Sequence, residues 1–253
     1  MPMPLNSALV AELLDDRGRV LKATLDMSQT DHALQCATRA EDAGEGPDLV
    51  IAALLHDIGY MLAADTSDRA ALLGGASSPF DATTGLLRGE SAEAKRAVRQ
   101  LTLSALQGWL PNESVATVRL LGAAKHYLCG VEADYWDELT PASQAELLEA
   151  GGPYDAALVA RFRQYPCHAA AVRLRRYDDQ AKRNEVKARP LAYFIDCLER
   201  YEQRVASASG IAPVPHAAAR NRLAPFPTSA VSPPATTAYL LSPARLWQPG
   251  ASA

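Results

Sequence analysis

Val50-Ile51-Ala52-Ala53-Leu54-Leu55-His56-Asp57-Ile58-Gly59-Tyr60 decides the fold. The run is apolar on every side until it meets an imidazole and a carboxylate side by side. A helix that is apolar all round belongs in a core. Ionisable groups at its end cost several kcal/mol unless something compensates them, and a bound metal ion is one compensation. Neighbours on a helix diverge by about 100°. His56 and Asp57 can therefore share a ligand only near a helix end, and Gly59 is expected to loosen the helix there.

Working outward, Pro47 opens this helix, where its missing N–H costs nothing. Upstream, Ser28-Gln29-Thr30-Asp31 predicts a capped helix from Ser28 to about Gly44, which carries His32. A short amphipathic helix is expected over 6–14. Downstream, helices are expected at about 92–107, from Pro111 to Leu128, from Thr140-Pro141 to Gly151-Gly152-Pro153, and at about 154–164, 167–184 and 190–206. No run reads as a strand. The expected class is all-α, a helical bundle over residues 1–206. Within it, 64–91 (Gly74-Gly75, Ser77-Ser78-Pro79, Gly89) is expected to be an irregular insertion. Residues 207–253, rich in proline, alanine and serine, read as a disordered tail. Leu240-Leu241 and Leu246-Trp247 are its only docking candidates.

Composition agrees. The chain has 253 residues, 48% hydrophobic but only 6% aromatic, which suits packed helices better than a β-sandwich. A net charge of −4 gives no support to a nucleic-acid partner. No apolar stretch reaches ~18 residues, so no membrane span is expected. Residues 1–5 lack the pattern of a signal peptide. Cys36, Cys129, Cys167 and Cys197 are scattered and are expected to be buried reduced thiols of a cytoplasmic protein.

His32, His56-Asp57 and the distant Asp178, in Arg175-Arg176-Tyr177-Asp178-Asp179, follow the ligand order of HD-domain metalloproteins. Two imidazoles with two carboxylates suit iron, manganese or zinc. The other reading of Arg175 to Asp179 is a solvated helix face, and of the two histidines, satisfied core residues.

The chain resembles the HD-domain mixed-valent diiron oxygenases of organophosphonate catabolism, relatives of myo-inositol oxygenase. The resemblance is carried by Gln29-Thr30-Asp31-His32-Ala33-Leu34-Gln35-Cys36-Ala37, Ala52-Ala53-Leu54-Leu55-His56-Asp57-Ile58-Gly59, Ala123-Ala124-Lys125-His126-Tyr127-Leu128, Gly151-Gly152-Pro153 and Arg173 to Lys182, in the family's order over about 24–205. It implies an HD-domain bundle with His32, His56, Asp57 and Asp178 on one iron. It also implies that Lys125 and Arg175 bind a phosphonate. Lys182 shares the helical face of Asp178 and is a further candidate for the anion.

The resemblance also breaks. The family's second iron, bridged by the residue matching Asp57, needs two more histidines. This chain has Leu121 at one of those positions and no histidine between 57 and 125. His126 is expected to face elsewhere, and His168 lies ~15 Å along the helix from Asp178. His216 is in the tail. Tyr60 stands where the family usually has another histidine. One metal is therefore expected and the second is doubtful, with Asp65, Asp68 or Asp81 the only replacement ligands in view. Three readings stay open: an oxygenase-like enzyme on a small anionic, phosphonate-like substrate with altered chemistry; a mononuclear phosphohydrolase; and a non-catalytic binding or regulatory module.

Overall fold

The computed structural model describes residues 5–24, 26–63, 92–183 and 187–209. The chain forms α1 (Ser7–Glu12), a π-helical turn (Leu13–Arg17), α2 (Gly18–Val20), β1 (Lys22–Thr24), β2 (Met27–Ser28), α3 (Gln29–Asp42), α4 (Pro47–Leu55) and α5 (Ile58–Ala63). It continues through α6 (Ala92–Leu106), α7 (Asn112–Arg119), α8 (Leu121–Val131), α9 (Tyr135–Glu138), α10 (Pro141–Glu149), α11 (Ala156–Phe162), α12 (His168–Ala181) and α13 (Leu191–Ser209). The all-α expectation holds, and the bundle is of the HD type. α3 lies at its centre, packed against both α4 and α12, and α12 in turn packs against α8.

The main core joins Leu13, Leu14, Leu54, Leu55, Ile58, Met61, Leu106, Leu174, Phe194 and Leu198. A smaller cluster around Phe162, Ala124 and Ala171 seats α8 and α11 against α12.

Local chemistry explains the helix starts. Ser28 accepts the Asp31 N–H at 3.0 Å, and its hydroxyl donates to the Asp31 carboxylate at 2.7 Å, so α3 begins where the capping pattern placed it. Thr140 and Asp155 cap α10 and α11 in the same manner.

Four expectations need correction. Residues 22–24 and 27–28 pair as a small antiparallel ribbon, with Lys22 opposite Ser28 and Thr24 opposite Met27. Strands this short carry too few residues for alternation to register. The helix expected from Pro111 to Leu128 is broken at Leu120, whose N–H is shared among the carbonyls of Ala116, Thr117 and Val118. The first helix runs on past residue 14 through the π-turn, and there Thr30 donates to the Leu14 carbonyl at 2.5 Å. A wider turn leaves such a carbonyl available to a side chain.

The fourth concerns Gly59. α4 ends at Leu55, with His56 as its C-cap, rather than near Gly59, and α5 starts at Ile58. The break falls at the His-Asp pair itself and frees the two side chains from the helical divergence. Gly59 does something else: a Cβ there would stand 2.3 Å from the Val98 carbonyl oxygen, and its N–H donates to Thr102 Oγ1 at 3.1 Å. It is the point where α5 touches α6. Gly59→Ala should push the two helices apart and lower stability by ~1–3 kcal/mol, readable as a lower chemical-denaturation midpoint.

α13 extends to Ser209, slightly beyond the expected end of the bundle at 206. The insertion at 64–91, with Asp65, Asp68 and Asp81, and the tail from 210 onward lie outside the described residues.

A contact between α12 and the α3–α4 turn ties the bundle together. Arg173 Nη2 donates to Glu45 Oε2 at 3.1 Å and the Tyr177 hydroxyl to Glu45 Oε1 at 2.7 Å. Burial works to raise the Glu45 pKa, but the bonds from Arg173 and Tyr177 prevail and hold it below the usual carboxylate range. A depressed folded-state pKa gives stability that is present above the unfolded value, near ~4.3, and disappears as pH falls through the folded value. The stability gap between wild type and Glu45→Gln should therefore be widest near neutral pH and close in acid, as followed by urea denaturation across pH.

Candidate metal centre and the cations beside it

Three helices deliver one cluster. The α3 cap at Ser28 sets His32 one turn into the helix, facing the core. The apolar α4 carries its C-terminal His56 into the interior, and α12 presents Asp178 from its buried face. All three side chains are buried. His32 Nε2 stands 3.1 Å from Asp178 Oδ1, and His56 Nε2 stands 3.9 Å from the same oxygen. The two rings meet edge to face, with centroids 5.3 Å apart. Asp57 closes the open side, its Oδ2 3.5 Å from His56 Nε2 and 3.9 Å from His32 Nε2. Its side chain is 34% exposed, so it is the part of the cluster that solvent reaches.

Two observations bear on whether a metal fits. His56 Nδ1 lies 2.8 Å from the Ala53 carbonyl, and a carbonyl can only accept, so Nδ1 carries the proton. Its Nε2 then offers a lone pair, yet it is buried without a hydrogen-bond partner. A backbone carbonyl fixing the far nitrogen is the usual support for a metal-bound histidine. Second, donor atoms of His32, Cys36, His56 and Asp178 all lie within 4.8 Å of one another. The residues present fit a transition-metal ion. His32 Nδ1 is also buried without a partner, and the described residues supply no acceptor for it.

Asp178 also meets two cations, one on each oxygen. Arg175 Nη1 reaches its Oδ2 at 2.9 Å and Lys182 Nζ its Oδ1 at 3.0 Å. Arg175 also forks onto Asp179, which accepts from the Tyr135 hydroxyl as well. Arg175, Asp178, Asp179 and Lys182 are three and four residues apart, so one face of α12 carries the whole ladder. Burial works to raise the Asp178 pKa, but Arg175, Lys182 and the bond from His32 hold it well below the usual carboxylate range. Burial likewise opposes the Arg175 charge, and Asp178 and Asp179 more than restore it.

Lys125 is buried and donates to Glu146 at 3.4 Å, and Glu146 also accepts from Lys95 at 2.9 Å. Burial, with Arg175 nearby, holds the Lys125 pKa below the usual lysine range.

The side chains expected to hold the metal (His32, His56, Asp57, Asp178) or the anion (Lys125, Arg175, Lys182) thus all fall in this region. The solvated-face reading of Asp178 does not stand, because Asp178 is buried. The other described histidines are engaged elsewhere. His126 Nδ1 lies 2.7 Å from the Gly152 carbonyl and its ring stacks on Tyr154, while His168 Nδ1 lies 2.7 Å from the Tyr165 carbonyl. Leu121 is half-buried against the main core.

Two participants escaped the sequence reading. Cys36 is four residues after His32, and that helical spacing was the available signal. Glu146 meets Lys125 only through helix packing, and no local pattern announces it.

An all-α HD-type bundle with a buried imidazole–carboxylate cluster is the class that fold and site define. No family model matches the chain. It is similar to a hydroxymethylphosphonate dioxygenase of Gimesia maris, 32% identical over 192 residues, covering 74% of this chain and 86% of that protein. It is also similar to a [1-hydroxy-2-(trimethylamino)ethyl]phosphonate dioxygenase (glycine-betaine-forming) of Leisingera caerulea, 27% identical over 191 residues, 76% of this chain and 87% of the relative. An uncharacterised mimivirus protein, L432, matches at 25% identity over 174 residues. At this identity and coverage the chain belongs to the phosphonate dioxygenase family. No described helix is long and apolar enough to cross a membrane.

Proposed function

We propose that the bundle of residues 1–206 is a metal-dependent enzyme that oxidises a small phosphonate, with His32, His56, Asp57 and Asp178 holding iron, or manganese or zinc in its place. Lys125, Arg175 and Lys182 receive the anionic group. The observation that carries this reading is the double role of Asp178: its Oδ1 faces the imidazoles and Lys182, and its Oδ2 faces Arg175. A carboxylate has lone pairs enough for both. It thereby fixes the distance between a metal and a bound anion.

Iron, when bound, supplies redox chemistry with dioxygen and a Lewis-acid centre. The protein's own groups do the rest. Arg175, locked by Asp178 and Asp179, offers a rigid guanidinium that needs no reorganisation to meet an anion. Lys125 and Lys182 add ammonium charge, and substrate exchanges with Glu146 for Lys125. Asp178, Asp179 and Glu146 each already face a cation, so an arriving anion competes with these carboxylates for Arg175, Lys125 and Lys182.

The chemistry departs from the family's two-iron pattern. Among the described residues no third histidine joins His32 and His56, and His126 and His168 are committed to backbone carbonyls. We take the centre to work with one metal. The same observation favours a second reading, a one-metal phosphohydrolase, in which the metal activates water.

Iron-loaded protein and a panel of 1-hydroxyalkylphosphonates separate the two in an oxygen electrode. The expected result is oxygen uptake that tracks phosphonate consumption and is lost in His56→Ala. Phosphate-ester turnover without oxygen uptake would replace the oxygenase with the hydrolase. Binding of phosphonates with neither reaction would leave a non-catalytic module.

A further inference from the structure

Away from the imidazoles, α6, α8 and α10 bring a second group of charges together. The Glu146 carboxylate lies between two ammonium groups. Lys95 Nζ donates to its Oε1 at 2.9 Å, and Lys125 Nζ to its Oε2 at 3.4 Å. One turn after Lys95 on α6, Arg99 lays its guanidinium across α8 at Gly122, where a Cβ would stand 3.3 Å from Nη2. Gly122 and Lys125 are three residues apart, so Arg99 covers the face of α8 that carries Lys125. Burial lowers the His126 pKa, and the nearby Lys125 and Arg99 charges lower it further while Glu146 opposes them. Of the carboxylates that compete with an anion here, Glu146 is the one able to leave. Its side chain is 46% exposed, against 7% for Asp178 and 19% for Asp179. α10 itself is pinned, because Leu147 is buried and Gln144 Nε2 donates to the Trp136 carbonyl at 2.9 Å. A change of rotamer at one side chain is enough to open the place between the two lysines.

We propose that the Glu146 carboxylate is a resident occupant of the substrate's anion seat, and that α6 completes this seat. When a phosphonate arrives, Glu146 turns out to solvent and Lys95 joins Lys125 in holding the phosphonate oxygens, while Arg99 adds charge at the rim. This rests on the anion reading above and adds Lys95 and Arg99 to it. Two ammonium groups that already share two carboxylate oxygens are placed to share two oxygens of a phosphonate. Held on the same chain, Glu146 competes at high effective concentration, so it sets how tightly any anion binds.

The test is isothermal titration of methylphosphonate into the full-length, zinc-loaded chain, because zinc has no redox chemistry to consume the probe. Glu146→Gln is expected to tighten binding by about 10-fold, the effect of one charge-assisted bond no longer in competition. In that background Lys95→Met should weaken binding by about 10-fold and Arg99→Met, at an exposed site, by about 3-fold. Thermal melts of the same proteins keep loss of fold apart from loss of binding. If Glu146 only steadies Lys125, Glu146→Gln leaves the affinity unchanged or lowers it, and the proposal is overturned. An unchanged affinity in Lys95→Met overturns the part given to α6. Lys125→Met separates the proposal from the reading beneath it, since it should abolish binding in either background. Binding that survives Lys125→Met, or no binding in any of the proteins, overturns both.

Discussion

Asp178→Ala is expected to lose the metal and a large share of the fold's stability at once. The side chain is buried and faces His32, Arg175 and Lys182. Removing one member of a buried ion pair costs ~3–5 kcal/mol, because its partners keep their charge without compensation. Arg175 retains Asp179, so the lower end of that range applies to metal-free protein. In a chain of this size the change lowers Tm by ~6–12 °C. Metal affinity should fall further than the ~10–100-fold typical of losing an outer supporting group. Asp178→Asn separates the two effects: it keeps the volume, softens the loss of stability and still weakens the metal. Calorimetry of metal-free protein and metal analysis of the same samples read both.

The second large effect is expected at Arg175. Its guanidinium is buried and meets both Asp178 and Asp179. Arg175→Met leaves Asp178 and Asp179 to share Lys182, 3.0 and 3.6 Å from them, so the loss falls at the lower end of the ~3–5 kcal/mol of a broken buried ion pair. Arg175→Lys should recover only a minor part of it, because a single ammonium cannot fork onto Asp179 and reach Asp178 as well. Urea denaturation measures this directly. A Lys variant as stable as wild type would show that charge alone matters at this position and geometry does not.

The ease with which these features could be read in the sequence follows their physical range. Ser28, Pro47, Thr140 and Asp155 act within one turn, and local chemistry places the helix starts they cap. His56-Asp57 was conspicuous because it interrupts an apolar run. Asp178 was harder, since its burial depends on α12 lying against α3, and only the ligand order and the family resemblance pointed to it. Gly59 serves a close helix contact rather than a loosened helix. Its neighbours Val98 and Thr102 are about forty residues away in the chain, and no local pattern reports such an approach. The break at Leu120 leaves no local signal, because α7 and α8 are each helical by propensity and only packing sets their angle. Cys36 was legible as a position one turn beyond His32, but a buried thiol is usually inert. Its nearness to His56 and Asp178 exists only in three dimensions.

The reading as a whole depends on one ion held where α3, α4 and α12 meet, and counting metal per chain tests it most directly. Metal-free protein is reconstituted with iron(II) without oxygen, freed of excess, and analysed for iron alongside its electron paramagnetic spectrum after partial oxidation. One iron per chain is expected, with binding abolished in Asp178→Ala and no mixed-valent signal. Two irons per chain with a mixed-valent signal would contradict the account and place a second metal beside Asp57.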